Sequence, residues 1–316
     1  MDAAPAVLDA PLDAVATIVQ LHRGLLIERD AEPNATPANH TVSAVAYAAA
    51  RRLGFVDADA HCVAQAWARR SANRPFDPTD WPDDPADFGF DLPAARFAPC
   101  PHRLGLYAVL PDATWVARMA RAGVPTLQLR FKHPDPERIA HEVRAAVSAV
   151  RGTPARLFIN DHWREAIEAG AYGVHLGQED LDTLTADDLA RLRHCGLRLG
   201  ISTHGYAEMA RAWRIGPSYL ALGAVFPTTL KAMPTAPQGP QRLTHYARLA
   251  RDLPTVAIGG IGLAELPAIA ASGVGSFAVV RAITGATDPE AAAAELMRTW
   301  ARLRASPHGQ GPDLAL

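Results

Sequence analysis

From residue 102 onward the chain alternates short apolar runs with alanine-rich amphipathic stretches, and no other feature restricts its fold so strongly. The apolar runs fall at Leu104–Leu110, Thr126–Phe131, Arg156–Asn160, Gly173–Gly177, Arg198–Ser202, Tyr219–Phe226, Thr255–Gly260 and Ser276–Val280. Between them, Asp112–Ala122, Pro136–Val150, Trp163–Ala169, Ala186–His194, Ala207–Ile215, Thr244–Arg251 and Leu263–Ser272 have the spacing of helices with one apolar face, and Pro289–Arg304 closes the series. Strands that are apolar throughout and separated by helices belong to a parallel sheet, because the crossover helices cover it. Eight such units predict a closed (β/α)8 barrel, the TIM-barrel architecture; an open doubly wound sheet is the alternative.

The rest of the chain follows different rules. Residues 74–101 hold seven prolines and six aspartates. Proline interrupts helix and central strand alike, and the acids keep the segment hydrated, which predicts a linker or meandering loop. Before it, helical periodicity at Leu12–Leu26, Val42–Leu53 and Ala58–Arg70, with Thr41 and Gly54 as cap signals, predicts a small, mostly helical module with a thin core. The expected division is a module at 1–73, a linker at 74–101, the barrel at 102–305 and a tail at 306–316.

Composition narrows the function classes. Hydrophobic residues at 49% and charged residues at 20% suit a globular protein. Lys plus Arg number 31 against 33 Asp plus Glu, a net charge of -2, so the whole surface is not built to wrap nucleic acid or coat an acidic membrane. An anionic ligand must therefore be met by a local cluster. The three cysteines, Cys62, Cys100 and Cys195, are far apart and form no CxxC pair, which argues against a disulfide framework or zinc site and for a reducing compartment. The N-terminus carries acids where a secretory signal would be basic, and no apolar run reaches the roughly 18 residues of a membrane span. The expected setting is cytoplasmic, with small-molecule partners, no nucleic acid and no membrane; a homo-oligomer is compatible with it.

In TIM barrels the chemistry collects where strands end and loops begin. The second strand ends Gln128-Leu129-Arg130-Phe131-Lys132, and its two-residue alternation turns Gln128, Arg130 and Lys132 to one face. A barrel strand has no solvent edge, so an inward Arg and Lys require an anion; a planar fork beside a point charge suits a diphosphate. Asp161 and Asp180 follow the third and fourth strands, where they could converge on Mg²⁺, which takes one or two carboxylates plus phosphate oxygens. Capping of the following helix accounts for either acid as well, and only their shared position near Arg130 and Lys132 favours the metal. Gly259-Gly260, with the backbone after Val280, lies where such barrels hold a phosphate, and Thr228 and Thr229 could add hydroxyls. His204 reads more simply as a hydrogen-bonded residue than as a general base, and no Cys/His nucleophile set is present.

Taken together, Gln128-Leu-Arg-Phe-Lys132, Asn160-Asp161, His175-Leu-Gly-Gln-Glu-Asp180, Gly200-Ile-Ser-Thr-His204, Leu222-Gly-Ala-Val-Phe-Pro-Thr228, Lys231, Gln238-Gly239 and Ala257-Ile-Gly-Gly-Ile261 resemble the thiamine-phosphate synthase family in order and spacing. The resemblance covers about residues 103 to 304. It implies a (β/α)8 barrel that joins hydroxymethylpyrimidine diphosphate to thiazole phosphate, with Mg²⁺, and releases diphosphate. It further implies Gln128 and Asn160 on the pyrimidine, Arg130, Lys132 and Lys231 on the diphosphate, and Asp161 and Asp180 as Mg²⁺ ligands. Ser202 would contact the pyrimidine or diphosphate; Thr228, Thr229, Gly260, Val280 and Arg281 would form the thiazole-phosphate site. In the family the diphosphate leaves first and the thiazole nitrogen captures a pyrimidine-methyl cation.

Two positions depart from the family pattern. Leu230 stands where many relatives carry a second hydroxyl, which implies a weaker thiazole-phosphate site, and His162 replaces a charged residue. Residues 39–46, Asn-His-Thr-Val-Ser-Ala-Val-Ala, faintly resemble the last helix of hydroxymethylpyrimidine-phosphate kinases without their anion-hole glycines and catalytic residue. The alternatives to a synthase are a thiazole tautomerase-like isomerase, which would need neither the cations nor Mg²⁺, and a non-enzymatic thiamine-precursor-binding protein.

Overall fold

A computed structural model describes residues 13–229 and 235–305. Four helices come first: α1 (Ala14–Leu21), α2 (Val42–Arg52), α3 (Asp57–Ser71) and the short α4 (Pro85–Phe88). The barrel opens with β1 (Gly105–Leu110), α5 (Ala113–Arg121), β2 (Thr126–Leu129), α6 (Pro136–Ala149), β3 (Arg156–Asn160), α7 (Trp163–Ala169) and β4 (Gly173–Leu176). Two helices follow β4, α8 (Gln178–Thr183) and α9 (Ala186–His194), before β5 (Arg198–Thr203), α10 (Tyr206–Ile215) and β6 (Tyr219–Leu222). The circuit ends with α11 (Gly239–Leu249), β7 (Thr255–Ala257), α12 (Leu266–Ala271), β8 (Ser276–Val279), α13 (Arg281–Thr284) and α14 (Pro289–Ala305).

The eight strands form a closed barrel in chain order, every pair parallel. The seam between β1 and β8 pairs Gly105 with Ser276, whose buried hydroxyl accepts from the Leu104 and Gly105 amides at 2.7 and 3.2 Å. Closure follows from the apolar runs: strands buried on both faces have no tolerable edge, and the sheet removes its edges by meeting itself. The interior holds Leu104, Tyr107, Phe158, Tyr219, Val256 and Ala278, while the larger core lies between strands and helices.

Several strands are shorter than predicted. β6 stops at Leu222, not Phe226, because the Gly223 amide turns to the Thr203 carbonyl and the backbone departs from the ladder. β7 ends at Ala257, ahead of the left-handed glycines Gly259 and Gly260. β2 ends at Leu129, opposite the end of β1; only the Arg130 amide extends the ladder, to the Leu110 carbonyl. The helix expected over Leu12–Leu26 is regular only to Leu21 and continues as a 3-10 turn at Arg23–Leu25; Leu12 lies outside the described residues, as does the tail 306–316.

Residues 74–101 form little regular structure beyond α4, yet Trp81, Phe88, Phe90 and Phe97 are buried in the same core as the N-terminal helices and the helical layer of the barrel. Phe90 stacks on Trp213 of α10 at 5.0 Å between centroids, Phe88 on Tyr206 at 4.9 Å, and the Trp81 indole donates to the Tyr206 hydroxyl at 3.0 Å. The segment is a strap laid over α10, with its prolines setting the path and its aromatics holding it down. Burying each large side chain contributes roughly 1.5–3 kcal/mol.

Candidate active site

The C-terminal ends of the strands surround a cavity of about 740 Å³. Gln128, Arg130, Lys132, Asn160, Asp161, Asp180, Ser202, Thr228, Gly260, Val280 and Arg281 line it. Thr229 is placed beside them by its hydroxyl, which accepts from the Arg281 guanidinium at 3.1 Å. Lys231 and Leu230 lie outside the described residues.

The cavity floor is a chain of buried hydrogen bonds. Gln128 donates through Nε2 to Asn160 Oδ1 at 2.8 Å and accepts from the Tyr107 hydroxyl at 3.0 Å. Tyr107 and Tyr219 hydroxyls meet at 2.8 Å, Tyr219 meets His175 Nδ1 at 2.7 Å, and His175 Nε2 meets Ser202 Oγ at 2.8 Å. The direction of the bonds follows from the first one. With the Tyr107 proton given to an amide oxygen, Tyr219 donates to Tyr107 and His175 Nδ1–H to Tyr219, and in the neutral imidazole Ser202 donates to Nε2. Ser202 therefore keeps lone pairs for a ligand donor. Burial pushes both tyrosines' titration well up, so these hydroxyls stay protonated.

Tyr107, His175 and Tyr219 were not among the predicted site residues. Their signal is a lone polar group inside an otherwise apolar strand, which at strand positions of a barrel implies an interior bond rather than a surface. Gly200 belongs to the same design: a Cβ there would lie 2.1 Å from the Tyr219 ring.

At the rim, Lys132 Nζ lies 3.0 Å from Asp161 Oδ2. Lys132 and Arg130 stand beyond the end of β2, so the strand period accounts for Gln128 but not for the whole triplet. Asp161 has φ 64°, the left-handed region that Asp tolerates better than most residues, and its amide donates to the His175 carbonyl at 3.1 Å. It does not cap α7: His162 holds that position, and its Nε2 meets the Phe131 carbonyl at 3.0 Å, tying the β2 and β3 ends together. Asp180 does cap, accepting from the Gly177 amide at 2.7 Å in the first turn of α8. Burial, then the neighbouring Asp161 carboxylate, hold the Asp180 carboxyl above the usual range against that bond. Capping and convergence with Asp161 are thus both true of Asp180.

On the opposite side, Gly260 has φ 63° and a Cβ there would lie 2.5 Å from the Pro227 carbonyl, so only glycine brings the β7 and β6 ends this close. His204 engages Glu208 through Nδ1 at 2.6 Å. Burial pushes the Cys62 and Cys100 thiols up to about 11, which removes them as nucleophiles near neutral pH. Among the described residues no group of three or more His, Cys, Asp or Glu could hold a metal, and no helix is long and apolar enough to cross a membrane.

A closed (β/α)8 barrel with a polar-floored cavity at its strand ends, rimmed by Lys132 beside Asp161, has the architecture of an enzyme acting on small molecules. Comparison with known proteins gives the family. The family model described as thiamine monophosphate synthase matches residues 106–283, and the chain belongs to that family of transferases. Thiamine-phosphate synthase of Neisseria meningitidis serogroup A is 53% identical over 204 residues, spanning 65% of this chain and 98% of the relative. That of Escherichia coli O6:H1 is 54% identical over 202 residues, 64% of this chain and 94% of the relative. Thiamine phosphate pyrophosphorylase from Pyrococcus furiosus superposes with a TM-score of 0.55 at 26% identity, covering 63% of this chain and 96% of that one.

Proposed function

We propose that the barrel joins hydroxymethylpyrimidine diphosphate to thiazole phosphate, yielding thiamine phosphate and diphosphate. The observation that carries this reading is Lys132 set against the Asp161 and Asp180 carboxylates at the mouth of a cavity floored by Gln128 and Asn160. Two adjoining carboxylates, one with its proton affinity raised by burial and then by the other, fit a hard divalent cation whose remaining ligands are phosphate oxygens. Bound there, Mg²⁺ would neutralise charge on the leaving diphosphate.

Arg130, Lys132 and Lys231 hold the same group by fork and point charges and stabilise it as it leaves. The bond between the pyrimidine methylene carbon and the diphosphate oxygen breaks with its electron pair going to the oxygen. The thiazole nitrogen then gives its lone pair to that carbon, so no protein nucleophile is consumed. Gln128, Asn160 and Ser202 orient the pyrimidine; Thr228, Thr229, Gly260, Val280 and Arg281 hold the thiazole phosphate so that its nitrogen faces the carbon, an alignment worth several orders of magnitude in rate. Incubation with both substrates and Mg²⁺ should form thiamine phosphate and diphosphate in equal amounts, and excess EDTA should stop it. Isomerisation of a thiazole carboxylate phosphate that persisted in EDTA would favour the tautomerase reading instead, and binding without turnover would favour a precursor-binding protein.

A further inference from the structure

We propose that the N-terminal module positions the barrel's own active-site connection, with Asp30 and Arg242 as its positioning residues. The inference rests on the proposed reaction and gives a role to residues before 74. Arg242, on α11, is only 2% exposed. Its guanidinium donates to two carbonyls of the module, Leu25 at 3.0 Å and Leu53 at 2.8 Å, and lies 3.6 Å over the Phe55 ring. The third arm goes to Gln238 Oε1 at 3.1 Å, so the buried cation is satisfied largely by helix-end carbonyls that the module brings. Gln238 in turn donates from Nε2 to the Ala236 carbonyl at 2.8 Å and from its amide to the Ala224 carbonyl at 2.8 Å. The last link comes from the module again: Asp30 Oδ2 accepts from the Ala236 amide at 3.1 Å.

These bonds clamp the closing end of the connection between β6 and α11, the connection whose opening end carries Thr228 and Thr229. Its base is pinned where Gln238 and Gly239 donate to Ala224 and Val225, while Val225 and Phe226 donate to Ile258 and Gly259 at the β7 end. Thr229 engages Arg281 across the cavity rim. Removing the Asp30 carboxylate therefore loosens the phosphate side of the cavity and leaves untouched Gln128 on β2, Asn160 and Asp161 at the end of β3, and Asp180 on α8.

The test uses the full chain as wild type, Asp30→Ala and Asp30→Asn. Asp30→Ala should raise KM for thiazole phosphate about tenfold, the worth of a lost charge-assisted hydrogen bond, with KM for the pyrimidine diphosphate within about twofold. Asp30→Asn, whose amide oxygen still accepts from Ala236, should restore most of the loss. Equal changes in both KM values, or a lowered melting temperature with neither KM changed, would overturn the proposal. Amide exchange at Ala236, read without substrate, should quicken in Asp30→Ala; unchanged exchange refutes the clamp whatever the turnover. A wild type that forms no product while this exchange behaves as expected refutes the reaction and leaves the clamp standing.

Discussion

Single residues in this barrel act through what they leave available to a ligand. The Gln128 amide fixes the proton order of Tyr107, Tyr219 and His175, and through them the lone pairs of Ser202. Tyr219→Phe removes the one hydroxyl that Tyr107 and His175 share, at a fully buried position and with almost no change of shape. It should lower unfolding stability by about 2–3 kcal/mol and raise KM for the pyrimidine substrate; urea denaturation and initial-rate kinetics check both, and a change below about 0.5 kcal/mol would contradict the network. That Gln128, Arg130, Lys132, Asn160, Asp161 and Asp180 share one cavity was legible in the sequence because all of them fall at or just after strand ends on one rim. Tyr107 and Tyr219 were not, since an aromatic residue in an apolar run reads as packing until a partner is seen.

At the scale of elements, the alternation of runs and helices foretold eight units, and what it misjudged were ends. Strands stop where the neighbour's ladder stops, a property of the pair rather than of either segment. The six-residue α8, which carries Asp180, was missed because it follows β4 with only Gly177 between. The N-terminus of α10 shows how an element can depend on another region: its cap residue is Gly205, which has no side chain, and Asp59 of α3 supplies the acceptor, taking the Ala207 amide at 2.8 Å. A Cβ on Gly205 would sit 2.0 Å from that carboxylate. Burial, opposed by the cap bonds, pushes the Asp59 carboxyl up to about 6. The folded chain thus keeps a proton that the unfolded chain has already released, so this group's contribution to stability falls as pH rises from the ordinary Asp range to about 6, and is constant above. Asp59→Asn removes the titration. Its stability relative to wild type should increase by about 3 kcal/mol between roughly pH 4 and pH 7 in denaturant unfolding; a pH-independent difference would contradict the burial of a carboxylate there.

For the whole molecule, the near-zero net charge conceals a local arrangement of cations against carboxylates, which is what a small phosphorylated substrate requires. The barrel was legible because every strand is buried on both faces. The relation of the first hundred residues to it was not. Seven prolines and six aspartates in residues 74–101 describe a hydrated tether well, and the contrary signal was the spacing of Trp81, Phe88, Phe90 and Phe97, which have no reason to recur in one. Docked aromatics, the Asp59 cap and the Arg242 clamp instead join that region to the connections after β5 and β6. The most direct measurement of the central claim is the rate of diphosphate release at saturating levels of both substrates, titrated with Mg²⁺ in wild type and Asp180→Asn. The account predicts saturable activation from a negligible metal-free rate, and a loss of roughly 100-fold or more in the variant, with a higher Mg²⁺ requirement. An undiminished rate in EDTA, or a variant indistinguishable from wild type, would contradict it.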